Sequence, residues 1–318
     1  MARGTPGASG RGNGLAVRIC TFEQRGNPSA GVVATDDTIV STVDLVGGAT
    51  DEDDVLDLLL SDEELWADLR RAARGAKGGI PLNSAKLLAP IPRPPRNVFC
   101  VGWNYSEHFE EGKQARGQSG PQLAPQEIPQ FPSLFTKNPA TVVAPDAPIF
   151  FPSPHSEQLD WEAELAVIIG RGGRDIAEAD AMSHVFGYTC ANDVSVRDVQ
   201  RRHGGQWFKG KNFDTHLPMG PWIVTADELD PSDLAIRSRV NGVGKQDSRT
   251  RFMVFKIPRL IAEISAGCEL WPGDMIITGT PAGVGFARTP PEYLKIGDVV
   301  EIEIEGIGIL RNTVSGRS

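Results

Sequence analysis

The chain has 318 residues, 40% hydrophobic and 23% charged, a balance that excludes wholesale disorder and a fibrous repeat. Lys and Arg total 32 against 41 Asp and Glu, a formal charge of −9 that opposes binding to a phosphate backbone, so no nucleic-acid partner is expected. No apolar run approaches the roughly 20 residues that span a bilayer; the longest, such as Leu165 to Ile169, are strand-sized, and no membrane association is expected.

Residues 1–14 are basic but lack the apolar stretch of a secretory signal, and they read as a flexible tail. The runs VRICTF, AGVVA and TIVSTVDL read as short strands with polar turns. Residues 51–75 change to apolar spacings of three and four, with Ser61 before acids at a second start, which predicts two short helices. The proline-rich stretch Leu88 to Arg96 cannot supply ladder donors and reads as a linker. The expected division is therefore a small α+β domain over 15–92 and a catalytic domain over 93–318.

Beyond the linker, NVFCVGWNY is a strand breaking at a glycine. The polar segment Ser106 to Pro129 shows no apolar period and reads as a long mobile loop, the kind that forms lids. Near the end, VVEIEIEG and IGILRNTV read as two strands joined at glycines. With 35 Gly and 24 Pro punctuating β-branched runs, the fold class is α+β and β-rich. The four cysteines, Cys20, Cys100, Cys190 and Cys268, form no CxxC pair and sit among apolar neighbours, so reduced core thiols and a cytoplasmic setting are expected. No G-x-G-x-x-G or Walker motif and no HExxH spacing is present, which disfavours a nucleotide site and a zinc hydrolase.

Several short segments could carry chemistry. In a strand, Glu162 and Glu164 would project side by side, and if buried they demand a cation. A hard divalent ion suits such oxygens. A solvated strand face has the same spacing: Glu301, Glu303 and Glu305 alternate with Val300, Ile302 and Ile304 as on an exposed edge. Asn192 and Asp193 would cap a helix on which Arg197 and Gln200 return to the face of Asp193, although an ordinary capped helix reads the same way. His108 and Glu111, three apart, can make a base and its orienter if the chain turns helically there, against the alternative of a solvated loop histidine. Lys211 between Gly210 and Asn212 can reach into a cavity, and Thr280 in TGTP can offer a hydroxyl to an oxyanion, though surface lysines and Gly-Pro turns are common.

Taken in order, GWNYSEHFEE, FTKNPATVV, LDWEAELAVIIG, GYTCANDVSVRDVQ, KGKNFDT and IITGTPAGVG resemble the fumarylacetoacetate hydrolase superfamily over about residues 96–316. The resemblance implies a mixed β-roll, a homodimer, and Mg²⁺, or Mn²⁺ or Ca²⁺, held by three carboxylates: Glu162, Glu164 and Asp193. It implies His108 and Glu111 as a lid dyad activating water and Lys211 as stabiliser of developing negative charge. It also implies substrate contacts from Arg197, Gln200 and Thr280, with Lys137 in the F-x-K block. Two departures stand out: the segment 112–130 is longer than in compact members, and Asn104 stands near a place where some members use a further aspartate ligand.

The activity this resemblance implies is metal-dependent hydrolysis of a carbon–carbon bond in a 1,3-dicarbonyl 2-oxo acid such as an acylpyruvate or fumarylpyruvate. In it, the metal stabilises the enolate product. The alternative is decarboxylation, hydration or isomerisation of a 2-oxo acid by the same superfamily. A third possibility is a silent, metal-stabilised binding protein.

Overall fold

The computed structural model describes residues 17–46, 54–61, 63–116 and 127–316. The tail expected over 1–14 lies outside the described residues. The fold is strand-rich with mixed sheets, as expected. One eleven-stranded sheet runs in the order Ile80–Pro81, Thr38–Ser41, Asn27–Val33, Arg18–Gln24, Leu217–Thr225, Val185–Asn192, Ala163–Ile169, Met275–Ile277, Val98–Gly102 and Ser133–Lys137. Val142–Val143 pairs beside Leu217–Thr225. A five-stranded sheet runs Val243–Arg249, Ala235–Val240, Val299–Ile304, Gly308–Ser315 and Pro148–Phe150. Because Arg18–Gln24 pairs antiparallel with Leu217–Thr225, the large sheet runs through residues on both sides of the proline-rich stretch.

All seven residues of Ala163–Ile169 are buried, which is why the sequence AELAVII lacks polar alternation. Its side chains still obey the two-residue period. Leu165, Val167 and Ile169 enter a core shared with Ile236, Ile302 and Leu310 of the five-stranded sheet. Ala166 and Ile168 point the other way, into a core with Leu58, Leu59, Trp66 and Leu69 of helices Val55–Leu59 and Glu63–Ala73. Glu164 shares the parity of the second set.

Four local expectations are corrected. The polar segment after Tyr105 begins as a helix, Ser106–Arg116, not a loop. Its buried face is Tyr105, His108, Phe109 and Gly112, spaced at three, four and seven; two of these four are not counted as apolar, so the period was hidden. Asp193 does not cap a helix: it follows strand Val185–Asn192, and the helix starts at Arg197 after the short strand Ser195–Val196. Val299–Ile304 is the middle strand of its sheet rather than an edge, and its acids are met by arginines, Glu303 by Arg239 at 2.5 Å and Glu305 by Arg249 at 3.4 Å. Cys268 is exposed, while Cys20, Cys100 and Cys190 are buried.

Candidate active site

Glu162 and Asp193 are brought together by backbone pairing. The Glu162 N–H donates to Asn192 Oδ1 at 3.0 Å, and the Asp193 N–H donates to the Glu162 carbonyl at 3.0 Å. Strand register then sets Ala163 opposite Asn192 and Glu164 opposite Ala191, one step along the same ladder. Glu162, Glu164 and Asp193 are all buried, and each offers a carboxylate oxygen within 4.8 Å of the others.

Three cations converge on them. Lys211 Nζ lies 2.6 Å from both Glu162 Oε2 and Asp193 Oδ2. Lys137 Nζ donates to Asp193 Oδ1 at 2.7 Å and to the Val194 carbonyl at 3.1 Å. Arg197 binds Asp160 Oδ2 through Nε at 2.7 Å, Glu162 Oε1 through Nη2 at 2.7 Å and Gln200 Oε1 through Nη1 at 3.2 Å. Asp160, within the quoted block LDWEAE but not singled out from sequence, also accepts the Gly285 N–H at 2.7 Å and the Phe286 N–H at 3.0 Å.

The carboxylates differ in their electrostatics. Burial pushes the Glu162 carboxyl up, but Lys211 and Arg197 outweigh it and hold the group well below the usual range. Burial, reinforced by the charges of Asp193 and Glu162, drives Glu164 well above that range. Among the described residues it accepts one hydrogen bond, from the Gly279 N–H, at 2.5 Å. Lys211 is pushed down by burial and raised further by Asp193 and Glu162, so it stays charged. Burial wins at Lys137, whose ammonium is lowered despite Asp193.

A divalent cation fits this set. Three hard oxygen donors converge, and Glu164 is the member that forms no ion pair among the described residues, so a positive ion there supplies what the two lysines do not. Asn104 is committed elsewhere: its amide bridges the Thr278 carbonyl at 2.7 Å, the Phe255 carbonyl at 3.0 Å and the Phe255 N–H at 2.7 Å, so it clamps two loops and leaves three carboxylates as the candidate set.

His108 is buried beside this cluster. Its Nδ1 meets Glu111 Oε1 at 3.3 Å. The ring stacks on Trp103 at 5.7 Å and meets Phe286 edge-on at 6.3 Å, so two aromatic walls confine it. Trp103 adopts φ 60°, a left-handed conformation rare for a bulky residue, in the turn between strand Val98–Gly102 and the helix. Thr280, 3% exposed, follows Gly279 in the turn after Met275–Ile277. Ten residues named from sequence lie in one connected neighbourhood of the fold: the three carboxylates, the His108–Glu111 pair, Lys137, Lys211, Arg197, Gln200 and Thr280. Trp103, Gln246 and Phe286 were not singled out, since a single aromatic or amide side chain carries no spacing signal.

The family model described as fumarylacetoacetate (FAA) hydrolase C-terminal matches residues 97–315. The chain belongs to that family. Within it, the chain is 45% identical over 246 residues to "Oxaloacetate tautomerase Fahd2a, mitochondrial" of Rattus norvegicus, covering 77% of this chain and 74% of the relative. It is 43% identical over 235 residues to "Oxaloacetate tautomerase YisK" of Bacillus subtilis (strain 168), covering 73% and 74%. Among solved structures it is similar to maleylpyruvate hydrolase from Sphingobium sp. SYK-6 in complex with manganese(II) ion and pyruvate, at 31% identity and TM-score 0.73, covering 94% of this chain and all of that one.

These similarities correct the expected activity. The curated relatives named as tautomerases match at 43–45% identity, and a tautomerase is an isomerase that breaks no carbon–carbon bond. The reading of the chain as a carbon–carbon hydrolase is overturned, and the names of these relatives favour the isomerisation carried as the alternative. The physical reason the sequence misdirected is that a His–Glu dyad serves proton transfer to carbon or oxygen as well as activation of water. No helix among the described residues is long and apolar enough to cross a membrane.

Proposed function

We propose that the protein is a metal-dependent tautomerase of a 2-oxo dicarboxylic acid, with oxaloacetate as the substrate its relatives' names point to. The observation that carries this reading is the buried His108–Glu111 pair at 3.3 Å beside a three-carboxylate cluster. Glu111 holds Nδ1, which leaves Nε2 as the proton-carrying atom. In the keto-to-enol direction a proton leaves C3 of the acid and one arrives on the C2 oxygen; His108 is the carrier for the first transfer. Trp103 and Phe286 confine the ring to one orientation.

Mg²⁺ on Glu162, Glu164 and Asp193, with Mn²⁺ or Ca²⁺ as substitutes, would supply Lewis acidity at the oxygens of the 2-oxo acid. Lys211 has three N–H donors, two of them spent on Glu162 and Asp193, so the third is available to a substrate oxygen that gains negative charge. Arg197 and Gln200, joined to each other, form the cationic wall for a carboxylate. Thr280 faces the substrate, and Lys137 acts by neutralising Asp193. The homodimer and cytoplasmic setting expected from sequence belong to this same proposal.

The test is the ultraviolet decay of enol-oxaloacetate with purified protein and Mg²⁺. Acceleration above the buffer rate, lost in H108A, is expected. Decay at the buffer rate across several 2-oxo dicarboxylates would sink the reading.

A further inference from the structure

Gln246 lies on Val243–Arg249, at the edge of the five-stranded sheet, yet it is only 3% exposed. Its amide uses all four hydrogen-bonding positions inside the protein. The oxygen accepts the Ala163 N–H at 3.0 Å and the Ser238 hydroxyl at 2.8 Å. The nitrogen donates to the Pro281 carbonyl at 2.8 Å and to Thr280 Oγ1 at 2.8 Å. Two of these partners have fixed polarity: a backbone N–H can only donate and a carbonyl can only accept, so Ala163 and Pro281 together determine which end of the amide is oxygen. Thr280 Oγ1 therefore accepts a hydrogen bond from Gln246 and cannot donate to it. Its own hydroxyl proton must point elsewhere, and it meets no acceptor among the described residues.

The turn that carries Thr280 is held firmly. Gly279, at φ +99°, binds Glu164 through its N–H, and a Cβ on it would stand 2.7 Å from Asn104 Cβ. A hydroxyl in such a place, free to rotate, could either donate or accept. We propose that Gln246 is a positioning residue that removes this choice, fixing Thr280 as a hydrogen-bond donor toward an oxygen of the bound 2-oxo acid. The inference rests on the reading of Thr280 as substrate-facing. During tautomerisation the C2 oxygen gains negative charge, which a preset donor stabilises and an acceptor opposes. Loss of one such donor costs roughly 10²–10³-fold in other enzymes.

A double-mutant cycle on the full chain with Mg²⁺ and oxaloacetate tests the proposal. T280V is expected to lower kcat by at least ~10-fold, Q246M by about 10-fold with KM nearly unchanged, and the double variant no further than T280V alone. Should Q246M fail to fold, Q246E keeps an acceptor for Ala163 but offers Thr280 an oxygen, drawing the hydroxyl proton back; its loss should likewise vanish in the T280V background. If the Gln246 effect multiplies in full with that of T280V, Gln246 acts structurally and the proposal is overturned while Thr280 keeps its role. If T280V turns over normally, Thr280 is not in the site and both fall. If no variant tautomerises any acid, the same cycle run on oxalate affinity by calorimetry separates a failure of the assigned reaction from a failure of the Gln246–Thr280 coupling.

Discussion

His108 Nδ1 lies 3.3 Å from Glu111 Oε1, and the other oxygen of that carboxylate takes the Gly283 N–H at 2.6 Å. One side chain thus orients the base and fastens helix Ser106–Arg116 onto the loop that carries Thr280.

Replacing either partner should therefore damage turnover in different ways. H108A removes the proton carrier and should reduce tautomerisation by ~10²–10⁴-fold. E111Q keeps a group of the same shape but no charge, and a smaller loss is expected. Calorimetric Mg²⁺ affinity should be the same in both variants as in the parent protein. Equal rates for H108A and the parent would take the dyad out of the mechanism.

Removing the metal should be visible without any substrate. Dialysis against EDTA should abolish activity, and Mg²⁺ at about a hundred times its Kd should restore it while stabilising the fold by about 3 kcal/mol. E164Q should lose most of that thermal shift, because Glu164 is the carboxylate of the three that forms no ion pair among the described residues. Identical melting curves with and without Mg²⁺, for parent and variant alike, would show that the carboxylates do not form a metal site.

Lys137 is fully buried, and its ammonium is held at 2.7 Å by Asp193. K137M leaves that carboxylate with Lys211 alone in a dry environment, and a loss of stability is expected, up to the roughly 3–5 kcal/mol of a buried charge left unpaired. Urea unfolding of the metal-free protein measures it. A cost under about 1 kcal/mol would mean that Lys211 suffices to neutralise Asp193.

Stability should also fall in acid because of one histidine away from the carboxylates. His216 is buried, donates to the Phe150 carbonyl at 2.9 Å, and is pushed down by burial from 6.5 to about 3. The folded protein holds it neutral while the unfolded chain protonates it below about 6.5, so its contribution is intact above that pH. It is lost progressively as pH falls toward 3, by on the order of 1 kcal/mol per pH unit. H216F should show a shallower decline of unfolding free energy between pH 6 and 4. An unchanged slope would exclude His216 as the source.

The three carboxylates were legible through the superfamily resemblance and not through spacing alone, which Glu301, Glu303 and Glu305 share and which read Asp193 as a helix cap. The dyad's helix was not, because a histidine and a glycine supply half of its buried face and periodicity counts only apolar residues. Asp160 escaped notice because one more acid in LDWEAE looks redundant until Arg197 and two backbone amides are seen to converge on it. Gln246 left no trace at all; its importance comes from four partners at sequence distances of 8 to 83 residues. The reaction itself was misjudged for the related reason that the same side chains can direct a proton to water or to carbon.

The carboxylates and the histidine are anchored with unequal stiffness. Glu164 and Asp193 issue from neighbouring strands in the middle of a wide hydrogen-bonded ladder, whereas His108 rides a separate helix, fastened to the Gly283 loop through Glu111. Amino-acid exchanges on that helix can move the base by an ångström while the chelating floor stays put. A scaffold divided in this way can keep its grip on an ion and exchange one enolate chemistry for another, which suits a family whose members are named both for cleaving acids and for interconverting their tautomers.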